Sequence, residues 1–110
     1  MLNTSFSFKN ISPQDKNLCQ KYFDKKLERF DNLMKHFRDE ECRLEIRAEQ
    51  FATKAAYMVE LTLHIPRHKL MAQEDDHTIV EAIDLSVDKL IIQLRKLVNK
   101  KRSKHKKIIN

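Results

Sequence analysis

Glycine is absent from this 110-residue chain, and so is tryptophan; there are two prolines and two cysteines. Without glycine, the nucleotide-binding fingerprints that bring backbone close to phosphate cannot be built. The same absence predicts turns that use Asn, Asp or longer loops in place of the glycine-dependent tight kind. Cys19 and Cys42 share no metal or redox spacing. Each falls where an apolar residue would serve, so both read as reduced core residues. No apolar run approaches a membrane span of ~20 residues. Met1 to Phe8 carry no charged leader of the signal-peptide type. These absences predict a cytoplasmic protein with no membrane partner.

A further absence is local. No acidic residue follows Asp88. Eight Lys/Arg lie between Arg95 and Lys107, leaving 14 elsewhere against all 16 acids. The formal net charge of +6 is therefore concentrated at the C-terminal end, which predicts a polyanionic partner, nucleic acid before anionic membrane.

The length suits one domain with one core. Leu2, Thr4, Phe6 and Phe8 alternate with polar residues and predict a strand. Ser12 is a good N-cap and Pro13 suits the first helical position. Asp15 favours the positive end of the helix dipole. Leu18, Cys19, Tyr22, Phe23, Leu27 and Phe30 recur at helical spacings, giving a buried stripe on a helix ending near Leu33. His36 to Glu41 reads as a loop. Cys42, Leu44, Ile46 and Ala48 alternate with Arg43, Glu45, Arg47 and Glu49, the clearest strand in the chain.

A turn around Ala52 to Lys54 and a strand Tyr57 to Ile65, ended by Pro66, follow. His68 to Gln73 predicts a short fourth strand. Asp75 or Asp76 would cap the last helix, whose stripe is Ile79, Ile83, Val87, Leu90, Leu94 and Leu97. That helix is expected to reach about Lys100, followed by a basic tail over residues 101–110. The predicted fold class is α+β, in the order β-α-β-β-β-α. It has a four-stranded sheet, its last three strands an antiparallel meander, and both helices on its apolar face.

No Ser/His/Asp or Cys/His constellation can be assembled from this pattern. The five histidines are scattered; His64 and His68 are four apart but Pro66 lies between them. The expectation is no catalytic residue, no metal, no cofactor and no small-molecule substrate.

What remains is the basic helix faces. Lys25, Lys26 and Arg29 lie beside the first helix's stripe, and Lys26 and Arg29, three apart, are neighbours. Lys89, Lys96 and Lys100 recur beside the last helix's stripe, and Arg95, Lys101 and Arg102 extend the basic run. If the helices pack side by side, the two rows would border one positive groove suited to a phosphate backbone. Asp24, Glu28 and Asp88 are the carboxylates able to neutralise it. The last helix lacks a cluster for reading bases, and the core uses most aromatics. Shape and phosphate recognition of a folded RNA is therefore expected over DNA or single strands.

The same residues carry a family resemblance. Glu81 to Leu90, continuing through Gln93, Leu94, Arg95 and Lys96, resembles the final helix of the ribosome hibernation promoting factor / ribosome-associated inhibitor (sigma-54 modulation protein) family. Tyr22 to Phe30 resembles its first helix, and the element order agrees over about residues 1–100, the expected ribosome-binding domain. The resemblance implies a factor in the decoding channel of the small ribosomal subunit. It would overlap mRNA and tRNA positions and touch rRNA through both helices. Lys26, Arg29, Lys89, Lys96 and Lys100 match basic positions of the family, and Lys25 fits the same lysine pair. Ile92 and Asn32 depart from it, standing where many members are basic. The chain is similar to short members, which pair ribosomes with a separate helper protein or simply block initiation. The alternatives are a general structured-RNA-binding module acting away from the ribosome and a protein-interaction domain using the polar sheet face.

Overall fold

The computed structural model describes residues 2–109 except His36 and Lys54, and without the side chains of Asp39 and of residues 100–109. Four strands and two helices follow the order β1 (Asn3–Lys9), α1 (Pro13–Leu33), β2 (Arg43–Gln50), β3 (Tyr57–Ile65), β4 (His68–Asp76) and α2 (Ile79–Ile109). A single 3-10 turn, Asp39–Glu41, precedes β2. The strands lie in the order β1-β2-β3-β4. β1 runs parallel to β2, and β2, β3 and β4 form the antiparallel meander.

Register explains the two faces. Phe6 pairs with Ile46, Ile46 with Leu61, and Leu61 with Ala72, so one apolar row crosses the whole sheet. Phe23, Phe30, Leu44, Leu61, Leu63, Ile83, Leu90, Ile91 and Leu94 are fully buried between this face and the helices. Burying such side chains contributes roughly 1.5–3 kcal/mol each before conformational entropy is charged against it. Cys19 and Cys42 are buried and reduced. Burial pushes the Cys19 thiol up to about 11, so it stays protonated and packs as an apolar group.

Local chemistry sets the ends of the elements. Ser12 accepts a hydrogen bond from the Asp15 backbone N–H at 3.1 Å, with Pro13 opening α1. At α2 the capping side chain is Thr78, whose hydroxyl accepts from the Glu81 N–H at 3.1 Å. Neither Asp75 nor Asp76 is the cap. Both belong to β4, which extends three residues beyond the expected Gln73 because Met58 and Tyr57 pair with them. Leu18 also departs from expectation: it is 44% exposed and outside the buried stripe. The buried face of α2 is wider than its predicted row, taking in Ala82, Ser86, Ile91 and Val98. The buried Ser86 hydroxyl donates to the Ile83 carbonyl, so it carries no unmet polar group.

One turn is tight despite the lack of glycine. Ile65 pairs with His68, leaving Pro66 and Arg67 to reverse the chain. Arg67 takes φ 69°, a left-handed conformation that costs a side chain with a Cβ about 1–2 kcal/mol. The continuous ladders on either side enforce it. Asn10, which tolerates that region better, adopts φ 56° at the exit from β1.

Candidate nucleic-acid interface

The helices run parallel, as the pairings along their seam show. Tyr22 and Lys26 of α1 both meet Asp84 of α2, and one turn further on Arg29 meets Asp88. The Tyr22 hydroxyl lies 2.8 and 2.9 Å from the two Asp84 oxygens, and the Lys26 ammonium is 2.9 Å from one of them. That ammonium also sits 5.0 Å from the centre of the Tyr22 ring. Arg29 donates to Asp88 at 2.8 Å.

Desolvation alone would raise the Asp84 carboxyl. The Lys26 and Tyr22 hydrogen bonds outweigh it and hold Asp84 below the usual carboxylate range. The same hydrogen bond to Asp84 raises the Tyr22 hydroxyl and, against desolvation, the Lys26 ammonium.

The seam is therefore zipped by opposite charges and is not a positive groove. Lys89 does not border it. With 3.6 residues per turn, Lys89 stands about 100° round the helix from Asp88, on the far flank of α2. There it forms an ion pair with Glu74 of β4. Gln93, four residues on, donates to the Met71 carbonyl of β4 at 2.7 Å and fixes the same orientation. Lys96, seven residues after Lys89, shares that flank. The expectation of two rows lining one groove is thus corrected. Lys26 and Arg29 face α2, whereas Lys89 and Lys96 face away from α1, because the sheet buries the stripe between the two flanks of α2.

Three of the expected site residues are exposed and make no ion pair among the described residues: Lys25 on the outer surface of α1, and Arg95 and Lys96 on the C-terminal half of α2. Arg95 lies seven residues beyond Asp88, so the line that is acidic beside α1 turns basic two turns later. Lys21, overlooked in the sequence, is exposed four residues before Lys25 and extends its row; that spacing was the available signal. The backbones of Lys100, Lys101 and Arg102 fall within α2, but their side chains lie outside the described residues.

The polar sheet face offers phosphate little. Arg43 pairs with Glu45 at 2.9 Å, Glu45 also faces His64 at 3.4 Å, and Arg47 is 3.9 Å from Glu60. Cations and carboxylates alternate there, so their fields cancel over short distances. Strand pairing also separates the two histidines considered above. His64 pairs with Lys69 on the polar face and His68 with Ile65 on the helix-covered face. No cluster of three or more potential metal ligands exists among the described residues. No helix of the described residues is long and apolar enough to cross a membrane.

Comparison with solved structures places this architecture beside two others. The N-terminal domain of Thermus thermophilus Protein Y superposes with a TM-score of 0.67 at 23% identity, covering 87% of this chain and 99% of that one. A ribosomal subunit interface protein from Coxiella burnetii gives 0.59 at 18% identity, covering 87% of this chain and 97% of its own. At those identities the likeness establishes the fold alone. No curated protein matches the sequence. A family model does, over residues 4–102, from β1 into the basic part of α2. With nearly the whole chain so matched, the protein belongs to the sigma 54 modulation protein / S30EA ribosomal protein family.

Proposed function

We propose that this protein binds the small ribosomal subunit in the channel used by mRNA and tRNA, contacts rRNA through its helical layer, and holds the ribosome inactive. This would take place in the cytoplasm under stress or in stationary phase. The observation that carries the reading is the exposed pair Arg95 and Lys96 on the stretch of α2 beyond Asp88, a stretch whose sequence contains no acid, in a chain whose family is ribosomal. Occupancy would exclude mRNA and tRNA by competition, so no bond need be made or broken and no catalytic residue is required. Charge would steer the encounter, and the rigid helix would hold its cations at fixed separations for shape-selective binding to folded RNA.

Within the proposed rRNA set, the corrected geometry suggests a division of labour. Lys25, Arg95, Lys96 and the run Lys100, Lys101 and Arg102 would meet phosphates directly. Lys26, Arg29 and Lys89 begin engaged to carboxylates. Exposed pairs of that kind contribute only about 0–1 kcal/mol, so a phosphate could compete for them at a modest cost. Occupancy would either pair ribosomes together with a separate helper protein or simply block initiation.

Sedimentation of extracts from growing and stationary cells tests the reading. The protein should move with small subunits or whole ribosomes in stationary cells. Replacing Lys89, Lys96 and Lys100 together with Glu should return it to the top of the gradient. A wild-type protein that stays at the top in both conditions would leave the general RNA-binding alternative as the better account.

A further inference from the structure

The flank of α1 that faces away from α2 has the opposite electrostatic character. Asp24, Glu28 and Asp31 recur there at spacings of four and three, which places them on one face of the helix. Together with Leu2, Thr4 and Leu27 they line an open groove of about 470 Å³ between α1 and β1. None of the three carboxylates is paired with a cation among the described residues. The groove also runs beside an open sheet edge, since β1 has a strand neighbour on one side only. The other edge is treated differently: at β4, Gln93 occupies a backbone carbonyl and Lys89 neutralises Glu74.

We infer that this groove is a docking site for the basic C-terminal segment of a second copy of the chain. The argument is charge complementarity in register. Lys100, Lys104 and Lys107 also recur at spacings of four and three, within a segment that contains no acid. On two helices, rows with that spacing each span about 10 Å, so the two rows match in length. The segment cannot readily serve its own groove. α1 and α2 run parallel, and α1 itself stands between α2 and the acidic flank. The occupant is therefore another molecule's segment. Leu2 and Leu27, both buried in the core, form the floor of the groove.

Docking of this kind is salt-sensitive, and each ion pair in it is weak. It does not depend on the function proposed above. If both hold, self-association and rRNA binding compete, because both draw on Lys100 and the basic segment around it.

Sedimentation equilibrium of the purified full chain, without ribosomes, tests it. At ~0.05 M salt the weight-average mass should rise above 13.2 kDa with concentration, and at ~0.5 M it should return to that value. The neutral variants D24N/E28Q/D31N and K100Q/K104Q/K107Q should each weaken association roughly tenfold or more. Mixing D24K/E28K/D31K with K100E/K104E/K107E should restore it. A monomer at every concentration in low salt would overturn the proposal. So would association that survives both neutral variants, which would assign it to another surface.

Discussion

The seam between the helices and the C-terminal half of α2 use the same kinds of residue to opposite ends. In the seam, each cation of α1 meets a carboxylate of α2: Lys26 with Asp84, Arg29 with Asp88. Beyond Asp88 the carboxylates stop, and Arg95 and Lys96 stand exposed without an ion pair among the described residues. A cation count would treat the two regions alike. Geometry separates cations that tie helices together from cations available to a polyanion, and only the second kind raises the local potential.

The comparison breaks most directly at the available cations. K25E/R95E/K96E should weaken binding to purified small subunits by on the order of a hundredfold or more. It should also lower the log–log salt slope by about three, one for each phosphate no longer neutralised. Filter binding over a salt series reads both quantities, and urea unfolding should show stability nearly unchanged. An unchanged slope would mean that these residues do not meet phosphate.

Asp84→Ala attacks the other region. It strips Tyr22 and Lys26 of their shared partner and should lower stability by about 1 kcal/mol, after discounting for the solvent that screens this half-exposed group. Subunit affinity should change little, and a large affinity loss would erase the proposed distinction. Arg29→Ala sharpens the contrast further. Its exposed pair with Asp88 should be worth under ~0.5 kcal/mol in urea, and its removal should cost less affinity than removal of Lys25, Arg95 or Lys96 singly.

The smallest effect concerns pH. Asp84 has a lowered carboxyl pKa in the folded state. Its contribution is therefore complete above the unfolded value of about 3.9, and it is lost as pH falls through the lower folded value. Wild-type stability should fall more steeply below about pH 4 than that of Asp84→Asn, which cannot titrate there. Urea midpoints across that range measure the difference.

Much of the fold was legible because period and chemistry agreed. β2 and β3 declare themselves by alternation, and Ser12-Pro13 marks the start of α1 by its cap. The failures are equally physical. β4 ends in Gln73, Glu74, Asp75 and Asp76, residues poor in strand propensity, so the end of its ladder comes from the pairing partners in β3 and not from its own sequence. That extension displaced the helix cap to Thr78. Leu18 fits helical spacing yet stays exposed, because spacing defines a stripe without saying where the covering layer ends.

The geometry of the candidate surface was half legible. The loss of acids after Asp88 is a sequence fact and located the basic surface. The ties from Lys26 to Asp84 and from Lys89 to Glu74 join separate elements, and no periodicity argument reaches that far. Nor does a stripe reveal which of its flanks faces the neighbouring helix. That ambiguity is why Lys89 was expected beside α1 and is found against Glu74 of β4.

Density for the protein bound to purified small subunits would test the central claim most directly. The expected map places the helical layer against rRNA in the mRNA and tRNA channel, with Arg95 and Lys96 at phosphates and Lys26 still seated against Asp84. A map with the polar sheet face on the RNA, or with α2 beyond Asp88 turned to solvent, would contradict it.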